Sequence, residues 1–289
     1  VKILAGILIL VLLMVAVVPL HQDMAAIYQT YPTEFRSYYV PSSGYMKMVS
    51  LGQEDFWADL IFIWSVQYFD RYGSSVRDEY LFHTFDVITD LDPRFYEAYI
   101  FGDLFLSLDK RWDLIYKLAD KGLAKNPKNW LIAWDAGTYA FFQAKNYPMA
   151  LKFFTTALRR NPGNSMLKDL VANAYKYRGD YRVSLHYWEN VKKEHENQNN
   201  DQSRFFVMAA ERNIWDLTIK IDLRALKTAI FAYKRAKGQF PDSLRGLVEA
   251  GFLEKLPRDP AGHSYGYDPK TGRVWSITPY KFKGKYAEW

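Results

Sequence analysis

The residues most able to move protons or hold a metal are five histidines, His21, His83, His186, His195 and His263. Ligation needs several donors converging on one point. Only His186 and His195 are near each other in sequence, and at nine residues apart they are not an i, i+4 pair on one helical face. Glu189, Glu194 and Glu196 are the densest glutamates beside a histidine, and their setting reads as a solvated helix end. Cysteine is absent, which removes disulfides, cysteine zinc sites, iron-sulfur clusters and thiol nucleophiles. No G-x-x-x-x-G-K, G-x-G-x-x-G, G-x-S-x-G or H-E-x-x-H string occurs, so phosphate-loop, dinucleotide, serine-hydrolase and zincin chemistry have no motif behind them. The chain is therefore expected to work by binding: no catalytic residue, no cofactor and no metal.

The 289 residues correspond to about two folded units at roughly 150 residues each. A formal charge of +6, from 38 Lys and Arg against 32 Asp and Glu, is too mild to call for nucleic acid. Aromatic residues make up 17% of the chain, with 22 Tyr, 19 Phe and 9 Trp, which is far too rich for a disordered polymer. From Ile3 to Leu20 the chain has no charged side chain, an 18-residue run able to cross most of a bilayer core of about 30 Å. A cleaved secretory signal is the competing reading, but its apolar region is usually shorter and ends at a small-x-small site. A retained anchor over 1–20 is favoured, and Lys2 before it predicts the N-terminus inside. The segment 21–54 carries Tyr28, Tyr31, Phe35, Tyr38, Tyr39 and Tyr45, rings suited either to the headgroup zone or to packing on the body. A second apolar stretch, Phe56 to Phe69, is too short for a span and reads as a buried helix. Asp59 within it is expected to be capped or paired, because a buried carboxylate needs a partner.

Pro93, Pro127 and Pro162 each follow Asp or Asn at the close of a helical stretch, at spacings of 34 and 35 residues. Such a period marks stacked helix pairs. Phe141 pairs with Tyr175, Tyr147 with Tyr181 and Phe154 with Trp188, one period on. Within 131–164, Trp134, Phe141, Tyr147, Ala150, Phe154, Ala157 and Pro162 fall at the large, aromatic, small and proline positions of a tetratricopeptide repeat (TPR), which this segment resembles. The following unit keeps Ala172, Tyr175, Gly179, Asp180 and Tyr181, with Glu196 where the closing proline would stand. The resemblance extends over 55–198 and implies a helical-hairpin superhelix with a concave groove. The positions that line the groove in TPR proteins, carried over, are Ile132, Asp135, Tyr139, Phe142 and Gln143, then Met166, Asp169, Asn173, Lys176 and Tyr177. A competing reading leaves them as solvated or inter-repeat residues. Asn173 stands where the family often clamps a peptide backbone. Asp135 and Asp169 stand where chaperone-binding members carry lysine, and aspartate would repel a terminal carboxylate.

The polar stretch 197–204 marks a boundary. Beyond it Trp215, Ile219, Leu223, Leu226, Ile230 and Tyr233 recur at helical spacing, which predicts one long amphipathic helix from Phe205 to Lys237, ended by Gly238. Then come a short helix over 244–250 and the series Gly251, Phe252, Leu253, Leu256, Pro257, Asp259, Pro260, Gly262, Tyr265, Tyr267, Asp268 and Gly272. With the Gly238-to-Pro241 turn, this resembles the C-terminal half of the major pseudopilins of type II secretion, over about 225–278. Tyr265/Tyr267 and Val274/Ser276 alternate as strands of a small antiparallel sheet that a helix can cover. The family's calcium site is represented by Asp259 and Asp268 without a full ligand set. Its early glutamate is missing from the N-terminal span, so pilin-like polymerisation is not implied. Lys281, Lys283 and Lys285 alternate with aromatics in a basic tail that reads as a strand edge rather than a lipid contact.

The expected architecture is mainly α: an N-terminal transmembrane helix, a TPR-like superhelix and a small α+β domain over 205–289. The expected function is a membrane-anchored scaffold or assembly factor for an envelope complex, pilus- or secretion-related through the tail. The alternative is a permanent accessory subunit of a membrane complex, for example an energy-converting one. Expected partners are other envelope or membrane proteins and the bilayer through Ile3–Leu20, with no nucleic acid. The expected location is the bacterial inner membrane, single-pass, with the body on the periplasmic side. A reporter fused after Trp289 should accordingly be active only if it matures outside the cytoplasm, and an active cytoplasmic-only reporter there would overturn the orientation.

Overall fold

The computed structural model describes residues 40–71 and 77–278. The Ile3–Leu20 run, most of the aromatic segment after it and the lysine tail lie outside the described residues. Among the described residues no helix is long and apolar enough to cross a membrane. The fold is mainly helical, with one two-stranded sheet, and divides at Asn126 and Pro127 into two compact units. That division falls inside the stretch expected to be a single repeat array.

The first unit holds α1 (Ser43–Val49), α2 (Glu54–Arg71), α3 (Arg77–Leu91), α4 (Tyr96–Leu108) and α5 (Trp112–Lys125). Ser42 caps α1 by accepting from the Tyr45 amide, satisfying one of the orphan donors of a helix start. The core is drawn from α3, α4 and α5, where Leu81, Phe85, Ile88, Tyr99, Leu106, Ile115 and Leu118 are fully buried. Lys121 of α5 reaches back to α3, its Nζ 2.7 Å from both Asp86 Oδ1 and Asp90 Oδ1. The Pro93 carbonyl accepts from Tyr99 Oη at 3.2 Å and Asn126 Nδ2 at 2.7 Å, so the proline turn ties the start of α4 to the end of α5.

The Phe56–Phe69 stretch is helical, as α2, but it is not buried. Phe56, Leu60, Ile63 and Trp64 are each about half exposed, and Asp59 is exposed rather than capped or paired in a core. The reason is periodicity. Apolar residues run all around this helix, so the face bearing Ala58, Ile61 and Ser65 can be buried while an equally apolar face is left outside.

The second unit begins with α6 (Leu131–Thr138), which runs without a break into a π-turn, Tyr139–Gln143. The wider turn is visible in Ala144 N donating to Tyr139 O at 2.9 Å. Then follow α7 (Tyr147–Arg160), α8 (Ser165–Arg178), α9 (Tyr181–His195) and α10 (Asp201–Lys237), consecutive helices packing on one another. The starts are set by asparagines: Asn146, Asn164 and Asn200 accept from the amides of Met149, Leu167 and Ser203. The α6–α7 contact is close enough that a Cβ at Gly137 would lie 2.6 Å from the Phe154 ring. Polar residues 201–204 are the first turn of α10 rather than a linker, because Asn200 begins the helix there.

The far end of α10 stops at Gly238, whose φ of 78° suits the left-handed cap. A short helix α11 (Arg245–Glu249) and strands β1 (Gly266–Asp268) and β2 (Arg273–Trp275) follow. The strands are antiparallel with Tyr267 opposite Val274. Leu226, Ala229 and Ile230 of α10 cover this sheet with Leu247, Tyr265 and Val274 in one core. Tyr265 Oη donates to Asp222 Oδ2 at 2.7 Å, pinning the sheet to the helix.

Ala150 and Ala157 of α7 are fully buried. Ala150→Leu should lower the unfolding free energy by about 1 to 3 kcal/mol through overpacking. Chemical denaturation checks this, and an unchanged midpoint would mean that α7 does not pack as described.

Candidate functional site

The residues carried over as a groove lie on α6, the π-turn and α8, all within the second unit. Ile132 is fully buried and belongs to the core, not to a surface. Asp135 is 8% exposed, and its Oδ2 has no hydrogen-bond partner. One repeat further on, Asp169 is half-buried with Oδ1 in the same condition. Burial without compensation pushes the carboxyls of both Asp135 and Asp169 up to about 7. Tyr139 and Asn173 are half-buried.

Lys176 is taken by the chain itself. Its Nζ lies 2.6 Å from Asp216 Oδ2 and donates to Asn213 Oδ1 at 3.0 Å, both on α10. Asp216 bonds Lys220 as well, and these two lysines hold its carboxyl below the usual range against the opposing effect of burial. Trp215 and Ile219 line a cleft of about 530 Å³ together with Lys176. The long helix therefore occupies the Lys176 end of the expected groove.

Other expected groove positions stay open. Phe142 is 60% exposed and Tyr177 58%, with Gln143 exposed next to Phe142, while Met166, 41% exposed, lies in the first turn of α8, at the other end of that helix from Tyr177. Tyr177 stacks on Tyr147 at 5.4 Å between centroids and meets the edge of Phe141 at 5.4 Å, while Phe142 packs edge-on against Phe141 at 4.8 Å. Phe141 is itself buried and also touches Phe154. Two exposed rings are thus held by a buried one. The π-turn contributes here: an extra residue in the turn lets adjacent Phe141 and Phe142 point one inward and one outward at the end of the helix.

Sequence reasoning did not find this turn, since the run Tyr-Ala-Phe-Phe-Gln has no signature of its own. His195, weighed from sequence only as a metal ligand beside His186, instead joins two helix starts by bonding Ser165 Oγ at 2.9 Å and Ser203 Oγ at 3.1 Å. The ring stacks on Phe206, which makes it a structural clamp. Among the described residues no group of three or more His, Asp or Glu could hold a metal ion. One oxygen of Asp259, Oδ1, is taken by its own loop, accepting from the amides of Ala261 at 3.0 Å and His263 at 2.8 Å, while Oδ2 is buried without a hydrogen-bond partner. Asp268 accepts from Lys270 N and Thr271 Oγ1 in the β-turn. No protein-family model matches the chain, and no curated protein is similar to it.

The buried carboxylate gives a signed pH dependence. The folded protein holds the Asp135 proton up to about pH 7, whereas an unfolded aspartate releases it near 3.8. Stability contributed by this site is therefore present at low pH and falls as pH rises from 3.8 through 7. Asp135→Asn should stabilise the protein at pH 8 by on the order of 2 kcal/mol more than at pH 5. Urea titrations at the two pH values test this, and an equal effect at both would show that the carboxyl is not desolvated.

Proposed function

We propose that the chain is a non-catalytic, membrane-anchored TPR scaffold or assembly factor for a cell-envelope protein complex. The observation that carries this reading is the pair of exposed rings, Phe142 and Tyr177, braced on buried Phe141. Aromatic side chains held in place lose little freedom on binding and are the commonest interface anchors. Helical hairpins repeating at a 34-residue period are the usual carriers of such surfaces. The pilus or secretion connection rests on the pseudopilin-like pattern of 225–278, where a helix covers a small antiparallel sheet. The inner-membrane location, with a periplasmic body, rests on Lys2 and the Ile3–Leu20 run.

A second reading, a permanent accessory subunit of a membrane complex, is favoured by the outer face of α2. There Leu60, Ile63 and Trp64, with Met46 and Trp57, line an apolar cleft of about 580 Å³. Leu51 and Met48 beside it are 89% and 68% exposed. Permanent interfaces are typically this apolar.

Phe142→Ala with Tyr177→Ala separates the readings. On the scaffold reading the double variant should still fold cooperatively, its unfolding free energy lowered by on the order of 1 to 3 kcal/mol through the lost ring contacts. Affinity for partners captured from mild-detergent extracts should fall about thirtyfold per anchor, on the order of a thousandfold for the pair, from about 2 kcal/mol lost at each. Undiminished recovery, with Leu60→Asp instead abolishing it, would favour the accessory subunit.

A further inference from the structure

Helix α10 carries a second surface, of different chemistry, that the aromatic site does not use. Lys220, Arg224, Lys227 and Arg235 lie along one side of it, at steps of 4, 3 and 8 residues, with exposed Phe231 filling the gap in the series. They line a cleft of about 580 Å³ whose end is closed by Tyr181 of α9, and no acidic residue lines it. An adjoining cleft of about 370 Å³ shares Tyr181 and Arg224 and adds Arg182 together with Asp180, which is paired with Arg178.

Part of this charge is fixed in place by the fold. Arg224 stacks over the Tyr181 ring at 4.3 Å and donates to the Gly179 carbonyl at 2.8 Å. Lys220 is paired with Asp216 at 2.9 Å. Lys227 and Arg235 make no ion pair among the described residues, so two full positive charges face the cleft uncompensated. The nearby acid Asp222 is on the other side of the helix, bonded to Tyr265.

From these positions we infer that the cleft is a docking site for an acidic amphipathic helix of a partner protein. At 1.5 Å rise per residue the cations run over about 22 Å, with successive charges about 4.5 to 12 Å apart. A helix laid alongside, with glutamates every three or four residues, presents carboxylates at the same intervals. Its apolar side chain would fall on Phe231, which is 59% exposed. One other anionic partner fits less well. Duplex DNA carries a charge about every 1.7 Å, several times denser than this row.

The test uses the full chain in a non-ionic detergent and a fluorescein-labelled 16-residue peptide of Glu, Ala and Leu, with Glu every three or four residues. Anisotropy should show binding that weakens as sodium chloride rises, and K227E/R235E should weaken it by at least about tenfold. Both positions are exposed, so the thermal midpoint of this variant should not move. A peptide with Lys in place of Glu should bind the variant better than the wild type. Three outcomes would overturn the inference: equal binding of the acidic peptide by wild type and variant, displacement of the peptide by phosphatidylglycerol-doped but not phosphatidylcholine-doped micelles, or tighter binding of a 16-nucleotide single strand. Because Phe142 and Tyr177 are untouched, loss of peptide binding with partner recovery intact distinguishes this site from the aromatic one.

Discussion

The second unit depends on burying one 37-residue helix twice. At about 55 Å, α10 is far longer than any single small core could cover, and an isolated helix draws most of its stability from packing. Its first half lies on α9, where Phe206, Ala210 and Leu217 meet Trp188 and Val191. Its second half roofs the two-stranded sheet through Leu226, Ala229 and Ile230. A two-stranded hairpin is marginal alone, so the sheet exists because the helix covers it. Between the two cores, polar pins fix the helix: Lys176 to Asp216 on one side of the junction and Tyr265 to Asp222 on the other. Part of what α10 does not spend on these contacts is exposed as the basic row of Arg224, Lys227 and Arg235.

The hairpins before α10 carry their own penalties, and these shape the surface. Asp135 and Asp169 recur at the repeat spacing with a buried oxygen unpartnered in each, a cost of the order of 1 to 3 kcal/mol for such a group. Protonation relieves it, which is why both carboxyls titrate near neutrality. The π-turn after α6 is a second local departure from regular geometry, and it lies at the exposed ring pair. Penalties of this kind persist where surrounding packing enforces them, here the buried contacts of Phe141, Phe153 and Phe154 around Gly137.

Much of this was legible in the residues. The prolines at 93, 127 and 162 mark real helix ends, Ala150 and Ala157 are buried where a period-34 pattern puts small residues, and Gly238 ends the long helix. Tyr267 and Val274 face each other in a small antiparallel sheet, while Tyr265 and Ser276 lie just outside its strands. The misreadings have physical causes. Phe56 to Phe69 has no polar face, so composition gave burial where half of the helix is outside. Ile132 and Lys176 were assigned to a groove by register alone; the first is core, and the second is claimed by Asn213 and Asp216, more than 30 residues away, a contact no local pattern encodes. The His195 clamp and the π-turn are likewise products of tertiary packing.

The exposed surfaces of the two units differ in kind, and the difference bears on how a scaffold could use them. The α2 face is broad and aliphatic as well as aromatic, the composition of an interface that is seldom vacated. Phe142 and Tyr177 form a small patch on a rigid support, and the α10 row is exposed and charged. Small aromatic anchors and electrostatic contacts give fast, reversible association, since charge complementarity acts mainly on encounter and specificity. A chain held permanently through its first unit while exchanging partners on its second would satisfy both compositions.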